Sequence, residues 1–492
     1  MTRRLPEGGG IIIETAPRDD LPSSLGMENE TIAAIGTPAG SGGIGIIRIS
    51  GGRSHSIARK IFRPARAAGE ANGAGFYLKP HKLCYGYIVN PDDGRRLDEV
   101  LVAFMPAPNS YTREDVLEIQ CHGGGVVIEK ILGLVLMSGA RPAEAGEFTR
   151  RAFLNGRIDL TQAEAVADMI NARSESAMKL AARQLGGELK FRIKSFIEQI
   201  TDTLAHVEAE LEFGEDGVNG ISDGNLTSNS LRERLIEPLS RLTQSYIHGR
   251  VQREGLRLAI VGRPNVGKSS LLNRLIDREK AIVTPFPGTT RDPVEASATI
   301  DNVAIGFIDT AGIRETSDPV ERIGIQKTKE ALKSADLTLL VTEANTPPND
   351  EDDHILREIK ENSFLIVVNK IDLIAPGDRH SLPKEYAQNK PIFISAKNGE
   401  GLDVLRDRIT KVWRKEGGEE LETVLCELRH KIALEAALAD IRNAAESIDE
   451  IRSLDMVAMD LKHALEQMQS VIGKGTAPDV LDQIFQKFCI GK

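Results

Sequence analysis

The sequence contains no apolar run that approaches the ~18 residues a helix needs to cross a bilayer. It has only four cysteines, Cys84, Cys121, Cys426 and Cys489, and none forms a C-x-x-C pair or lies near a histidine cluster. These absences argue against a membrane protein, a disulfide scaffold and a zinc site. We therefore predict a protein of the reducing cytoplasm with no membrane partner.

Positive charge is also scarce: Asp and Glu outnumber Lys and Arg by 72 to 62, which gives a net charge of −10. This balance argues against a generally basic protein that coats nucleic acid, and we find no clear RNA-binding motif. A nucleic acid bound by a local basic patch is still compatible with it. The 492 residues are too many for one core, and at about 150 residues per domain they suggest three domains.

The first 26 residues have an unusual composition. Arg3 and Arg4 resemble the start of a twin-arginine signal, but the apolar stretch at residues 8–13 is too short for a signal core, and acidic residues follow it. We interpret residues 1–26 as a disordered extension or as the product of an upstream start codon. Met27 is then the expected start of the folded protein.

The N-terminal third has a mixed pattern. Short β-branched runs bounded by Gly, Pro and Asn predict strands, and residues 126–139 predict a helix. Together they indicate a small α+β domain with a mostly antiparallel sheet. The predicted strands are residues 31–36, 44–50, 83–89, 100–105 and 116–120.

Two helical regions flank a region of alternating strands and helices. Apolar residues spaced by three and four predict helices in residues 161–213, 231–250 and 421–472. Residues 256–413 predict a doubly wound α/β domain, with buried parallel strands at residues 258–261, 304–308, 337–341 and 364–368. Because each helical stripe needs a partner, we predict one shared bundle with the α/β domain inserted in it. Two independent helical pieces are the alternative.

Residues 262–269, GRPNVGKS, fit the phosphate-binding pattern G-x-x-x-x-G-K-[ST] between a predicted strand and a predicted helix. Glycines in such a loop let backbone N–H groups surround phosphates. Lys268 is expected to reach the β- and γ-phosphates, and the Ser269 hydroxyl to bind Mg²⁺.

Three further elements follow in order, each at the end of a predicted strand. Residues 309–312, DTAG, are expected to hold Mg²⁺ through water at Asp309 and to sense the γ-phosphate at Gly312. Residues 369–372, NKID, place a carboxylate at Asp372 that can accept two hydrogen bonds from guanine but not from adenine. Residues 395–397, SAK, fit the loop whose backbone meets guanine O6. The set predicts a GTP-binding and GTP-hydrolysing domain.

The water-orienting glutamine of small signalling GTPases is missing, because Ile313 follows DTAG. Thr289 and Thr290 lie where a first switch loop belongs, and one of them is expected to reach Mg²⁺. Arg291 and Arg314 are candidates for a catalytic arginine finger, although arginines near switches are common on surfaces.

The chain resembles the MnmE (TrmE) family of tRNA wobble-uridine modification GTPases from residue 31 to its end. The matching segments are residues 42–51 (GGIGIIRISG), 114–118 (EDVLE), 122–124 (HGG), 146–149 (GEFT), 151–156 (RAFLNG), 262–270, 288–292, 321–325 (ERIGI) and the tail 488–492 (FCIGK). Residues 1–26 have no counterpart, and Gly214 replaces a common proline.

The resemblance implies a multidomain protein with a discontinuous helical domain and an inserted Ras-like, doubly wound α/β G domain. The expected boundaries are residues 27–157 for an N-terminal α+β folate-binding and dimerisation domain, 158–250 and 416–492 for the helical domain with the C-terminal tail, and 251–415 for the G domain. It also implies a homodimer whose G domains meet in the GTP state.

By the same resemblance, the protein works with the flavoprotein MnmG in a heterotetramer. Together they add an aminomethyl or carboxymethylaminomethyl group to carbon 5 of the wobble uridine of tRNA. The implied cofactors are GTP, Mg²⁺, K⁺ and 5-formyl- or 5,10-methylene-tetrahydrofolate.

The resemblance also assigns residues. Arg48, Glu118, Arg157 and Lys492 fall at folate-contacting positions, and Glu321 at that of an acidic residue that positions the attacking water. Asn265, with Thr284, Phe286 and Thr289, falls at the K⁺ site, while Ser269 and Thr290 are assigned to Mg²⁺. The nucleotide-contacting set comprises Asn265, Val266, Gly267, Lys268, Ser269, Ser270, Thr284, Pro285, Phe286, Pro287, Gly288, Thr289, Thr290, Asp309, Thr310, Ala311, Gly312, Asn369, Lys370, Ile371, Asp372, Ser395, Ala396 and Lys397.

Some alternatives stay open at this point. Cys489 is either a chemical group near the folate or a structural cysteine, and a prenylation signal is disfavoured by Gly491 and Lys492. Arg291 competes with K⁺ for the catalytic positive charge. A ribosome-assembly or regulatory GTPase that binds RNA without modifying it is the alternative function, and a purely structural dimerisation protein would have no use for NKID.

Overall fold

The computed structural model describes residues 30–65, 78–213, 227–277, 294–300, 303–308, 334–360, 363–375, 382–416, 423–450 and 453–492. The chain divides into two compact units. The first comprises Met1–Asp159 with Gly473–Lys492, and the second comprises Leu160–Ile472.

The first unit contains a seven-stranded sheet in the order β3-β4-β5-β6-β2-β1-β7, antiparallel except for the pair β1–β7. Alternating side chains explain its burial, because Ile47 and Ile49 enter the core beside the helices while Arg48 faces the other side. The elements are β1 (Ile32–Ile35), β2 (Ile44–Ser50), α1 (Ser54–Ile61), β3 (Phe62–Pro64), β4 (Leu83–Val89), β5 (Arg96–Met105), β6 (Val116–His122), α2 (Gly125–Met137), β7 (Arg141–Pro142) and α3 (Glu147–Leu154).

The second unit begins and ends with helices. The first group is α4 (Leu160–Asn171), α5 (Glu175–Leu185), α6 (Glu188–Phe213), α7 (Ser228–Leu231), a π-helical turn (Arg232–Ile236), α8 (Glu237–Gln244) and α9 (Tyr246–Glu254). The last group is α14 (Leu428–Asp449) and α15 (Leu454–Val471). Residues from both groups share one core, in which Phe196 and Leu239 pack in the same cluster as Leu434 and Leu461.

Between these groups lies a six-stranded sheet in the order β13-β12-β11-β8-β10-β9, parallel except for the antiparallel pair β9–β10. Its central strands are buried on both faces, which explains their continuous apolar runs. The elements are β8 (Leu256–Val261), α10 (Lys268–Asp277), β9 (Val294–Ile300), β10 (Val303–Ile308), β11 (Leu337–Glu343), α11 (Asp350–Ile359), β12 (Phe364–Asn369), a 3₁₀ turn (Ile371–Leu373), α12 (Lys384–Gln388), β13 (Ile392–Phe393) and α13 (Leu402–Glu416).

The helical stretches are more divided than the apolar spacing predicts. Residues 161–213 form three helices, because the chain leaves the helix at residues 172–174 and turns again at Gly187, where φ is +88°. Leu425 is buried as predicted, but it precedes α14, which begins at Leu428. A buried position in a connecting segment gives the same apolar signal as a buried helical position.

The C-terminal tail packs with the first unit, whereas the sequence-based division placed it with the second helical segment. Helix α16 (Pro478–Phe485) lies against α3, with the Phe485 and Phe153 rings 6.4 Å apart. Ile490 forms a β-bridge with Ala145. The tail therefore completes the N-terminal unit.

Candidate functional site

The loop after β8 has a backbone that only glycine accommodates at two points. Gly262 and Gly267 have φ values of +147° and +97°. A Cβ added at Gly262 would lie 2.2 Å from the Val341 carbonyl oxygen, and one at Gly267 would lie 2.3 Å from Asn369 Nδ2. Both glycines thus let the loop turn directly against the ends of β11 and β12.

Lys268 opens α10, and its ammonium turns back over the loop. Lys268 Nζ donates to the carbonyl oxygens of Gly262 at 2.8 Å and Arg263 at 2.7 Å. Burial lowers the pKa of Lys268, and the nearby carboxylate of Glu351 opposes that shift. The loop therefore presents a fixed, partly desolvated positive charge beside exposed Ser269 and Ser270, an arrangement suited to phosphate oxygens.

Asn369 joins three loops at the carboxyl edge of the sheet. Its Nδ2 donates to the Val266 carbonyl oxygen at 2.9 Å, and its Oδ1 accepts from the Ala396 N–H at 3.0 Å. The side chain is buried, so both hydrogen bonds are shielded from water. Because one amide holds both segments, phosphate-binding and base-reading elements are positioned together.

Asp372 is half-buried on the base-reading side, and its orientation is set by Ser395. The Ser395 hydroxyl donates to Asp372 Oδ1 at 2.6 Å. This hydrogen bond lowers the pKa of Asp372, and the charges of Lys397 and Lys370 act in the same direction. Asp372 is therefore ionised at neutral pH and can act only as an acceptor.

The first unit contains a second polar cluster. Arg48 Nε donates to Glu118 Oε1 at 2.8 Å, Arg48 Nη1 donates to the Gly491 carbonyl oxygen at 3.0 Å, and the guanidinium lies 5.8 Å from the Phe148 ring centroid. Arg48 and Glu118 side chains are 19% and 20% exposed. A charged pair thus stands at the surface where the tail meets the sheet.

Arg157 belongs to the same neighbourhood through Tyr111. Arg157 Nη1 donates to the Tyr111 carbonyl oxygen at 3.1 Å, and the guanidinium stacks 4.7 Å from the Tyr111 ring centroid. Tyr111 packs against the small apolar cluster that contains Phe148. Near the tail's end, the Cys489 side chain is exposed and its carbonyl oxygen accepts from Lys492 N–H at 3.3 Å.

Comparisons with known proteins cover nearly the whole chain. A family model described as "MnmE helical domain" matches residues 160–489, and one described as "GTP-binding protein TrmE N-terminus" matches residues 31–157. A "tRNA modification GTPase MnmE" of Carboxydothermus hydrogenoformans is 43% identical over 95% of this chain and 100% of its own length. The chain belongs to the MnmE family.

Two further MnmE proteins give the same result. Those of Acetivibrio thermocellus and Moorella thermoacetica are 43% and 42% identical over 94% and 95% of this chain, and each is covered over 100% of its length. The predicted family is therefore confirmed, and with it the prediction of a GTPase.

Solved structures match the chain in part. Era in complex with MgGDPNP and 16S ribosomal RNA nucleotides is 32% identical, covering 38% of this chain and 67% of that one, with a TM-score of 0.26. A point variant of Aquifex aeolicus Era bound to GDP·AlF4⁻ is 25% identical, covering 44% and 89%, with a TM-score of 0.27.

Several predicted MnmE site residues lie outside the described residues, so their roles stay predictions. They include both arginine-finger candidates, the water-positioning glutamate and most of the cation loop. The set is Thr284, Pro285, Phe286, Pro287, Gly288, Thr289, Thr290, Arg291, Asp309, Thr310, Ala311, Gly312, Arg314 and Glu321.

Sequence reasoning missed Arg274, which no motif contains. It lies on α10, and its Nε and Nη2 donate to the carbonyl oxygens of Ala396 at 3.2 Å and Lys397 at 2.6 Å. Arg274 therefore fixes the SAK loop of this MnmE chain to helix α10. Only a three-dimensional contact identifies such a residue, because 122 positions separate the partners.

Two negative findings concern the described residues alone. None of their helices is both long and apolar enough to span a membrane. No group of three or more His, Cys, Asp or Glu side chains among them is arranged to hold a metal ion.

Asp372→Asn is expected to lower affinity for GTP by about 10- to 100-fold and to raise affinity for xanthosine triphosphate. A carboxylate accepts from guanine N–H groups, and losing such charged hydrogen bonds costs ~1.5–3 kcal/mol. The new amide can donate to xanthine O2 instead. Titration with fluorescent guanine and xanthine nucleotides measures both constants, and unchanged GTP affinity with no gain for xanthine would contradict this base assignment.

Proposed function

We propose that this chain hydrolyses GTP to drive addition of an aminomethyl or carboxymethylaminomethyl group to carbon 5 of the wobble uridine in tRNA, with a flavoprotein partner of the MnmG type. GTP binding is supported above all by the Asn369 side chain, which joins the phosphate loop to the base-reading loop. Membership of the MnmE family, whose members are named tRNA modification GTPases, supports the tRNA-modification half.

In this proposal the chain's own groups bind and orient GTP. Lys268 would contact the β- and γ-phosphates, Ser269 and Thr290 would hold Mg²⁺, and Asp372 and Ser395 would recognise guanine. Bound Mg²⁺ neutralises charge on the phosphates. Exposed Ser269 at the start of α10 offers the hydroxyl oxygen that a hard cation prefers.

We also propose that Arg48, Glu118, Arg157 and Lys492 bind a reduced folate, which supplies the one-carbon unit when bound. The donor set fits: Glu118 offers an acceptor for ring N–H groups, and the guanidiniums of Arg48 and Arg157 offer donors for anionic carboxylates. Cys489 is the candidate for a chemical role beside the folate, since it is a free cysteine with an exposed side chain on the same tail as Lys492.

Arg48→Ala is expected to weaken folate binding by about 10- to 100-fold, because removing a charged hydrogen-bond partner costs ~1.5–3 kcal/mol. GTP hydrolysis is expected to stay near wild type, and tRNA modification to be lost. Calorimetry with 5-formyl-tetrahydrofolate measures the first effect and phosphate release the second. Wild-type folate affinity in the variant would remove Arg48 from the site.

An apolar sheet face supports the proposal of a homodimer through the N-terminal domain. Leu83, Tyr85 and Leu101 lie on one face of neighbouring strands, since Tyr85 pairs with Leu101 in the register. They are 56%, 45% and 36% exposed. A contiguous exposed apolar face of this kind is typical of a protein interface. The proposal further includes the G domain as an insertion in the helical domain, which the shared helical core supports.

For hydrolysis we propose that Asn265, with Thr284, Phe286 and Thr289, would hold K⁺, which would supply there the positive charge that an arginine finger supplies elsewhere. Asn265 is exposed on the loop, and its side-chain amide oxygen is of the ligand type that a hard cation prefers. Glu321 positions the water, and Arg291 is the competing candidate.

Hydrolysis is expected to be severalfold faster in KCl than in NaCl at matched ionic strength, since the negative charge of the transition state is stabilised by a positioned cation. Asn265→Ala is expected to abolish the difference while GTP still binds. Phosphate-release rates in the two salts give the result. Equal rates for the wild type in the two salts would contradict the K⁺ mechanism and favour Arg291 or Arg314 as the source of the catalytic positive charge.

The whole function is tested by reconstitution. Purified chain, flavoprotein partner, folate, GTP and unmodified tRNA should yield modified uridine, detected by mass spectrometry of nucleosides. Omitting GTP or the partner should abolish the product. GTP hydrolysis without any modification in the complete mixture would favour an RNA-binding assembly or regulatory GTPase.

A further inference from the structure

Two acidic side chains outside every recognised motif pair with basic residues in or against the phosphate loop. Glu343 is the last residue of β11, and Asp352 lies in the first turn of α11. Each reaches a basic residue that is tied to the loop. We call Glu343 and Asp352 the acidic bracket.

Glu343 acts on the loop through Lys370. Lys370 Nζ donates to Glu343 Oε1 at 2.6 Å and to the Asn265 carbonyl oxygen at 2.6 Å. The Glu343 and Lys370 side chains are 15% and 29% exposed, so water screens their attraction only in part. The lysine is thereby fixed at the tip of the loop.

Asp352 acts on the loop through Arg263. Arg263 Nε lies 2.7 Å from Asp352 Oδ2, and the Asp352 side chain is fully buried. Asp352 also completes a capping box with Asn349, which fixes its position at the start of α11. Within the described residues, Asp352 Oδ1 and Arg263 Nε and Nη2 have no hydrogen-bond partner, so Asp352 holds the half-buried guanidinium as an ion pair and not through a hydrogen bond.

The bracket therefore holds both sides of Pro264. Arg263 and Asn265 flank this proline, and Asn265 adopts a left-handed backbone that a non-glycine residue takes at some energetic cost. The Arg263 carbonyl oxygen also accepts from Lys268. A loop held in this way presents Lys268 and its N–H groups to phosphate without further ordering, which raises affinity.

We propose that Glu343 and Asp352 are positioning residues of the nucleotide site: acting through Lys370 and Arg263, they hold residues 263–265 in the conformation that binds the β-phosphate of GTP and GDP. This inference rests on the proposed nucleotide site. It predicts an effect on nucleotide affinity rather than on the chemical step, since neither carboxylate contacts the reacting atoms.

The first test is Glu343→Gln in the full chain, which keeps the length of the side chain and removes its charge. Charge-assisted hydrogen bonds are about twice as strong as neutral ones, so Kd for GTP and GDP should rise by about tenfold. KM should rise similarly, while kcat at saturating GTP stays within about twofold of wild type. Fluorescent-nucleotide titration, GDP dissociation and phosphate release measure these quantities, and Glu343→Asp should restore part of the affinity.

Asp350→Asn is the matched control. Asp350 is exposed in the same first turn of α11, so the variant loses a charge next to the bracket without losing a contact to the loop. Its nucleotide affinity should equal that of wild type. A loss as large as that of Glu343→Gln would mean that the general field of the acidic turn matters rather than the bracket.

A double-mutant cycle tests whether the carboxylates act through their partners. Glu343→Gln should cost no further GTP affinity once Lys370→Met is present, and Asp352→Asn none once Arg263→Ala is present. Additive losses, or wild-type affinity in Glu343→Gln, would overturn the inference. If Asp352→Asn does not fold, the Glu343–Lys370 cycle decides alone. A wild-type chain that fails to bind GTP would overturn the nucleotide site itself, and the inference with it.

Discussion

Gly267→Ala is expected to reduce affinity for GTP by at least about 100-fold, equivalent to ~2.7 kcal/mol. The new Cβ would lie 2.3 Å from Asn369 Nδ2 at a residue whose φ is +97°. Either Asn369 moves, which breaks its hydrogen bonds to Val266 and Ala396, or the loop moves and takes Lys268 with it. Equilibrium titration with a fluorescent GTP analogue measures the loss.

The control is Gly133→Ala in α2, where an added Cβ would meet no atom of the described residues within 4 Å. The same chemical change there should leave GTP affinity unchanged and raise helix stability by roughly 0.5–1 kcal/mol. Circular dichroism of both variants shows whether each is folded. A folded Gly267→Ala protein with wild-type GTP affinity would contradict the close packing of loop and Asn369.

Glu164→Ala is expected to destabilise the helical part of the chain by ~3–5 kcal/mol, because it leaves buried His430 and half-buried Arg429 without their anion. Glu164 on α4 accepts from Arg429 Nε at 3.1 Å and lies 2.8 Å from His430 Nε2. His430 is 1% exposed, so water cannot replace the carboxylate. Urea unfolding followed by far-ultraviolet circular dichroism should show a clearly lower midpoint.

The stabilisation by Glu164 should also depend on pH. Burial raises its pKa, but His430 and Arg429 outweigh burial and bring the pKa to about 2. A carboxyl with a lowered pKa stabilises fully above its unfolded pKa, ~4.3, and the contribution is lost as pH falls toward 2. The difference between wild type and Glu164→Ala should therefore shrink between about pH 4 and pH 2.

Glu208→Ala serves as the comparison for Glu164. Glu208 pairs with Lys462 at 2.8 Å, but the side chains are 50% and 55% exposed. Exposed pairs contribute ~0–1 kcal/mol, so its unfolding midpoint should be close to wild type. Equal shifts of the unfolding midpoint in the two variants would show that burial does not explain the stabilisation by the Glu164 ion pairs.

Many of the strands and the nucleotide motifs were predictable because their signals are local, whereas β3, β7 and β9 were not predicted. Residues 44–50 form β2 with the predicted bounds, since a β-branched run alternates between a buried and an open face. The position of Asn369 at the end of β12 follows from the motif, as does the placement of Lys268 at the start of α10. Each of these inferences uses residues that are neighbours in the chain.

The contacts that fix the site were not predictable in the same way. Arg274, Glu343 and Asp352 belong to no motif, and they matter because of where the fold brings them. Periodicity likewise did not reveal the break at Gly187, because the apolar stripe continues across it. Periodicity also did not place the tail with the N-terminal unit. That placement depends on contacts between residues far apart in the chain, such as Arg48 and Gly491, which are 443 positions apart.

That last contact has a consequence for synthesis of the protein. Residues 160–472 must all be translated after the body of the N-terminal unit and before the segment that completes it. At 5–20 residues per second this takes about 15–60 s, during which Arg48 lacks the Gly491 carbonyl and Ala145 lacks its bridge to Ile490. The N-terminal unit is translated first, but its fold is completed only when the C-terminal tail has been made. A premature stop codon within the final 20 residues would therefore destabilise the N-terminal unit rather than the helices encoded just before it.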